Sequence, residues 1–492
     1  MDPRLTPRHS PEAAPFAAEM PAALDHHVSL PEANRSLCVG HGVGGARPWW
    51  RRMLGFAGPG FLVSVGYMDP GNWGTDLAGG SKYGYALLWV ILASNLMAIF
   101  LQVLCARLGI ATGKDLAQAC RDYFPKPTAI ALWLLCEVAI VACDLAEVIG
   151  SAVALKLLLH IPLAWGVLIT GADVLILLGL MNFGFRKLEA VVITLVATIA
   201  VCFGINLYMA SPDWAAAAHG TLVPSLPRDA HGSLTEALVI SLGILGATVM
   251  PHNLYLHSSI VQTRRYGLDA AGKRSAIHHN TIDTVVALGS AFFVNAAILI
   301  LAAAVFFKSH TVVEELEQAH QLLAPALGGA AATLFAVALL ASGQSSTITG
   351  TLAGQIVMEG FLRIRIKPWL RRLITRTLAI IPALIIVTMT GGKDTVRLLI
   401  VSQVVLSMQL PFAIFPLLMA TSSRKRMGEF ASPIPVTIIG YAIGTLIVAL
   451  NVYLLIDQLG WIWVALGALA MVAFWAVVRF VYVPRRSAPA SA

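Results

Sequence analysis

Between residues 55 and 482 the chain repeats one pattern: a long, mostly apolar run, a short polar connection, then another run. A helix of about 20 apolar residues crosses the ~30 Å hydrocarbon core of a bilayer, and in lipid every backbone N–H and C=O must be satisfied within the chain. Runs of this length therefore fold as transmembrane helices. Strands of a closed barrel need only about 9–11 residues each. Composition agrees, with 57% hydrophobic and 12% charged residues against about 25% charged in ordinary soluble domains. The fold class that follows is all-α and integral to the membrane, as a single domain.

About twelve spans are predicted, near 55–78, 85–110, 128–155, 163–183, 188–210, 235–262, 281–307, 325–358, 373–390, 394–421, 433–456 and 460–482. The predicted organisation is a tail at 1–50, a transmembrane domain over 51–483 and a short tail at 484–492. The first tail is rich in Pro, Ala and His and has no apolar core of about 7–15 residues before a cleavage site. No secretory signal is predicted, and the tail is expected to be disordered. His9, His26, His27, His41 and Cys38 lack the tight spacing of metal ligands and read as a solvated tail.

With the N-terminus inside, all 34 Lys and Arg except Lys82, Lys156, Arg228, Lys308, Lys393 and Arg397 fall on inner connections, tails or adjacent helix ends. This is the positive-inside distribution. It places both termini in the cytoplasm and accounts for the net charge of +8 without nucleic acid. The cysteines (Cys38, Cys105, Cys120, Cys136, Cys143 and Cys202) avoid the predicted outer loops and form no C-x-x-C pair, so they read as small packing residues.

Two polar interruptions break the pattern: Asp69-Pro70-Gly71-Asn72 in the first span and Gly246-Ala247-Thr248-Val249-Met250-Pro251-His252-Asn253 in the sixth. Proline has no N–H and clashes with the carbonyl one turn back, so each span should break and leave carbonyls unpaired. Broken helices at matching positions of two halves mark a binding site near the bilayer midplane. Asp69 is an ionisable group deep in an apolar segment, a costly placement that is usually functional. Asn72 adds an amide oxygen, Ala247 a freed carbonyl and Met250 a thioether. Hard oxygens with one soft sulfur favour Mn²⁺ or Fe²⁺ over Mg²⁺ and Ca²⁺.

A second constellation lies on the third span, where Asp144 and Glu147 are three apart and share a helix face. Paired acids inside a membrane mark a proton or ion path, or a static ion pair. Arg376, opening the ninth span, is the expected partner. The polar stretch Ser342-Gly343-Gln344-Ser345-Ser346-Thr347 is expected to bend the eighth span. Glu314-Glu315-Leu316-Glu317 reads as a solvated acidic turn or an outer collector of cations.

The motifs Asp69-Pro70-Gly71-Asn72 and Met250-Pro251-His252-Asn253-Leu254-Tyr255-Leu256-His257-Ser258 resemble the signatures of the NRAMP family of proton-coupled divalent-metal transporters, over about residues 50–480. The resemblance implies a LeuT-type fold: two inverted five-helix repeats, about 55–210 and 235–421, with broken first and sixth helices, and extra helices at 433–482. It implies inward movement of Mn²⁺ and Fe²⁺ with protons across the plasma membrane by alternating access. The metal is substrate, not cofactor. By motif, Asp69, Asn72, Ala247 and Met250 carry over as metal ligands, and no departure at these positions points to the magnesium-transporting relatives. Gln403, in a matching stretch of the tenth helix, is implied as a further ligand in one conformation. Asp144, Glu147 and Arg376, with His252, resemble the family's proton relay.

Glu137 lies ten residues before Glu147, near the same stripe, and is a candidate extension of that relay. His257 follows His252 by five residues, a spacing that puts them on different faces, so it reads as a proton or packing residue. Asn295 is a gate candidate or an interhelical hydrogen-bonding group. Nothing in the segments requires a second copy of the chain. Two alternatives are an amino-acid/sodium symporter of the same fold class, whose carboxylate substrate Asp69 would repel, and a non-transporting membrane metal sensor. No H-E-x-x-H or comparable hydrolytic motif suggests an enzyme.

Overall fold

Pro70 sits at the first position of a helix rather than inside one, so the first span is two helices. In the computed structural model, which describes residues 29–30, 33–38, 53, 55–171, 185–228, 233–364, 366–391 and 395–482, α1 (Pro59–Gly66) stops at Gly66. Tyr67, Met68 and Asp69 form the link, and α2 (Pro70–Tyr83) starts under an Asp69 N-cap. The chain returns through α3 (Leu88–Thr112), turns on the short α4 (Leu116–Tyr123), and crosses again in α5 (Lys126–Leu159). There follow α6 (Leu163–Thr170), α7 (Phe185–Ala210) and a short helix, α8 (Trp214–Leu222).

The second half repeats this order. A broken pair, α9 (Thr235–Thr248) and α10 (Pro251–Ile260), meets at Val249–Met250. Then come α11 (Ala270–Ala302), a short α12 (Leu316–Leu327), α13 (Gly329–Leu362) and α14 (Pro368–Thr390), followed by α15 (Thr395–Gln409) and α16 (Pro411–Thr421). The short helices α4 and α12 occupy equivalent places in the two halves. One turn, α17 (Arg424–Met427), leads to α18 (Ile434–Leu459) and α19 (Trp461–Val477). The strands β1 (Leu37–Cys38) and β2 (Arg264–Arg265) pair in parallel.

Nine helices or helix pairs among the described residues are long and apolar enough to cross a membrane. The pair α1–α2 adds a span built from two short pieces, and α14 carries a shorter apolar stretch, Leu373–Met389. Most of the fourth predicted span, from residue 172 on, lies outside the described residues. The polar stretch of the eighth span does not interrupt α13. Its hydroxyls find acceptors locally and on α5: Ser345 donates to the Ser342 carbonyl, while Ser346 and Thr347 donate to Glu147.

The core gathers around α2. Trp73 is fully buried between Phe203 of α7 and Phe335 of α13, edge-on to both with ring centroids 4.8 and 5.1 Å away, a favoured aromatic geometry. By contrast, α19 has no buried residue and turns apolar side chains outward all round. Such a surface is compatible only with lipid or another apolar partner.

Candidate functional site

Each break frees backbone carbonyls, and the structure shows where they go. The Met68 carbonyl accepts from Trp73 Nε1 at 3.3 Å and from Ser342 Oγ at 2.5 Å; the Tyr67 carbonyl accepts from Asn295 Nδ2 at 2.7 Å. Side chains of α2, α11 and α13 thus satisfy α1's end, as buried polar groups require. The Ala247 carbonyl, at the end of α9, faces across to α2.

Asn72 joins the two breaks. Its Nδ2 lies 2.8 Å from Asp69 Oδ1, 3.2 Å from the Ala247 carbonyl and 3.4 Å from the Gly66 carbonyl. Three oxygens from two broken helices therefore converge on one donor. Asp69, Asn72, Ala247 and Met250 are all at most 1% exposed, so this polar point is closed to bulk solvent. Met250 Sδ accepts from Asn253 Nδ2 at 3.6 Å. Gly66 permits that approach, because a Cβ there would meet both the Asn253 amide and Met250 Sδ. Gly71 does the same for Gln403, whose amide would overlap a Cβ at position 71. Gln403 is fully buried, and its Oε1 has no hydrogen-bond partner among the described residues. Gln403 thus brings an orphaned buried oxygen to the break at Gly71, a donor type that suits a divalent cation.

The acid pair lies next to this point. Arg376 Nη1 is 3.3 Å from Glu147 Oε2 and 3.8 Å from Asp144 Oδ1. Glu147 also accepts from Ser346 at 2.5 Å and Thr347 at 3.1 Å. Cys143 stands between the two constellations, its Sγ 3.7 Å from Asp69 Oδ2 and 3.8 Å from Glu147 Oε1. Along the same two helices, Arg371 Nη2 holds both oxygens of Glu137, at 2.8 and 3.1 Å. His252 is buried within electrostatic reach of Asp144, and its Nδ1 has no hydrogen-bond partner among the described residues.

A family model described as Nramp, natural resistance-associated macrophage protein-like, matches residues 60–457. The chain belongs to the Nramp family. A Nostoc protein named divalent metal cation transporter MntH is 56% identical over 441 residues, 89% of this chain and 98% of that one. A Xanthomonas campestris protein of the same name is 60% identical over 409 residues, covering 83% and 91%. In three dimensions the chain matches the Eremococcus coleocola manganese transporter with a TM-score of 0.83 at 38% identity, over 92% of this chain and 99% of that one. Mhp1, a nucleobase-cation-symport-1 transporter, matches at 0.54 and 16% identity, which shows the shared LeuT-type architecture alone.

Within this Nramp fold the sequence-derived residues fall into separate groups. Asp69, Asn72, Ala247, Met250 and Gln403 cluster at the breaks. Asp144, Glu147, Arg376 and Glu137 line α5 and α14. Asn295 donates to Asn72 Oδ1 at 3.2 Å as well as to the Tyr67 carbonyl, so its interhelical bonds lie on the break itself. His257 sits apart, its Nδ1 3.0 Å from Gln102 Oε1 and its Nε2 3.3 Å from Asn280 Nδ2. Among the described residues no group of three or more His, Cys, Asp or Glu side chains could hold a metal, because the donors here are mostly amide, carbonyl and thioether.

Four contributions are not legible in the sequence. Cys143 was grouped with packing cysteines, although it lies four residues before Glu147 on the same helix face. Arg371 pairs with Glu137, and no local spacing signals it. At the N-terminal end of α1, Arg264 pairs with Glu189 at 2.7 Å, both nearly fully buried, and Arg264 Nη2 donates to the Ala57 carbonyl at 2.7 Å. Asp283 of α11 accepts from the Gly58 and Gly60 amides at 3.2 and 2.7 Å, placing a carboxylate at the N-terminus of α1 where the helix dipole favours it.

Proposed function

We propose that this protein imports divalent transition-metal ions, Mn²⁺ and Fe²⁺, across the plasma membrane together with protons, by alternating access. The convergence of Asp69, Asn72 and the Ala247 carbonyl on one buried point beside Met250 carries this reading. The relatives named divalent metal cation transporters and the Eremococcus manganese transporter support its metal-transport part. The sulfur makes the site a poor competitor for strongly hydrated Mg²⁺ and Ca²⁺.

The ion reaches the breaks from outside, sheds waters and binds Asp69, Asn72, the Ala247 carbonyl, Met250 and Gln403. A proton leaving Asp69 meets the Cys143 thiol at 3.7 Å, which in turn lies 3.8 Å from Glu147, and the carboxylates paired with Arg376 and Arg371 lead it onward along α5. Inward release separates α1 and α10 from the frame of α5 and α13. The contacts at Arg264, Glu189 and Asp283 break as this happens. Both termini lie in the cytoplasm, and one copy suffices.

The test is Mn²⁺ uptake into proteoliposomes with and without an inward proton gradient, with internal pH followed in parallel. Gradient-stimulated uptake with matching acidification supports the proposal. Saturable uptake that survives Asp69→Ala removes the site, and competition by amino acids instead of metals favours a symporter of amino acids.

A further inference from the structure

We infer that residues 29–30 and 33–38 form a cytoplasmic latch that restrains inward opening. Composition predicts this tail to be disordered, yet part of it is built into the inner face. Ser29 and Leu30 are each only 4% exposed, and Leu30 joins the main apolar core.

The segment is bonded to two groups of elements. On one side, Ser29 Oγ accepts from Gln118 Nε2 of α4 at 3.2 Å, and the Leu30 amide donates to Glu359 Oε2, near the end of α13, at 3.4 Å. On the other, the Arg35 amide donates to the Gln262 carbonyl at 2.9 Å, and Arg35 Nη2 donates to the Tyr266 carbonyl at 3.0 Å. The Arg35 guanidinium also lies 5.8 Å from the centre of the Tyr266 ring, within cation–π range. Next in the chain, Leu37 and Cys38 pair with Arg264 and Arg265.

Residues 262–266 directly follow α10, the inner half of the second break, and contain the Arg264 that closes on Glu189 and the Ala57 carbonyl. The segment therefore ties the inner end of a broken helix to α4 and α13. Any motion that draws α10 away from that frame must break one set of these bonds. The family match begins at residue 60, so the latch lies outside the region that defines the family. The inference rests on the alternating-access reading above.

The test uses the full chain in lipid nanodiscs and in proteoliposomes, with Leu30→Asp, which places a carboxylate beside Glu359, and Arg35→Ala, a milder change at a half-buried position. Amide hydrogen exchange should rise over residues 58–66 and 262–266 in both variants. Initial Mn²⁺ uptake should rise roughly twofold or more, the readout of a shifted inward population. Faster exchange confined to residues 29–38, with uptake unchanged, overturns the latch. So does slower uptake with faster exchange at 58–66, because the segment would then support transport. If Leu30→Asp fails to fold, Arg35→Ala alone decides. Failure of the unmodified chain to take up Mn²⁺ overturns the transport reading instead, and the exchange arm still tests the restraint.

Discussion

Cys143 holds its Sγ 3.7 Å from Asp69 Oδ2 while reaching Glu147 Oε1 at 3.8 Å. One thiol thus links the carboxylate at the helix break to the acid paired with Arg376. Cys143→Ala should leave Mn²⁺ affinity within about twofold yet slow proton-coupled uptake roughly tenfold, below the ~10²–10⁴-fold of a general acid or base at a reacting atom because the thiol only bridges two carboxylates. Cys143→Ser, which keeps a donor, should fall between. Parallel records of uptake and acidification check this, and equal rates in all three proteins would deny the thiol a part.

Met250 is the only soft donor proposed at the site. With Met250→Ala, Mn²⁺ should still be carried while Ca²⁺ competes roughly tenfold better, equivalent to about 1.4 kcal/mol of metal preference. Inhibition of Mn²⁺ uptake by graded Ca²⁺ measures it.

Gly71 leaves room for the Gln403 amide. A methyl group at that position pushes the amide away from the break. Gly71→Ala should weaken Mn²⁺ binding roughly tenfold, the scale of one displaced polar contact, with little change in thermal stability. Isothermal titration of the purified protein, beside a melting curve, separates binding from folding.

Glu137 and Arg371 form a pair whose side chains are 19% and 6% exposed. Glu137→Ala leaves the guanidinium without its carboxylate. The expected loss is about 2–3 kcal/mol, below the ~3–5 kcal/mol of a fully buried pair because solvent reaches Glu137. The double change Glu137→Ala with Arg371→Met should recover most of it. Thermal unfolding of the parent, Glu137→Ala, Arg371→Met and the double variant in one detergent completes the cycle.

Asp115 caps α4 outside the spans, and burial pushes its carboxyl up to about 6, although hydrogen bonds from Ser29 and the Gln118 amide oppose the shift. A carboxyl with a raised folded pKa binds its proton more tightly folded than unfolded. Its contribution is therefore fully present below about pH 4 and falls as pH rises to about 6. Asp115→Asn keeps a good cap and removes that slope. Relative to the parent, the variant should gain up to about 3 kcal/mol across this window. Melting temperatures at pH 4, 5, 6 and 7 read the difference.

The sequence could be read well where a residue conflicts with its surroundings. Asp69, Pro70 and Pro251 each violate what an apolar span requires, so the breaks and the candidate donors beside them are legible in the sequence. The Asp144–Glu147 pair stood out for the same reason. Cys143 violates nothing, because a cysteine is an ordinary core residue, and only its position between two carboxylates gives it a role. The tail over residues 1–50 reads as disordered because its composition offers little to bury. The structure supplies a partner surface at residues 262–266 that composition does not reveal.

By itself the sequence determined the membrane class, the broken helices and the donor types at the site. These depend on local rules: apolar length, the missing N–H of proline and the cost of charge in lipid. Only the tertiary structure decided which donors meet. The approach of Asn72 to the Ala247 carbonyl, of Arg371 to Glu137 and of Arg264 to Glu189 joins residues 175, 234 and 75 positions apart. Distances of that kind are set by how the helices pack against one another, and no local rule along the chain encodes them.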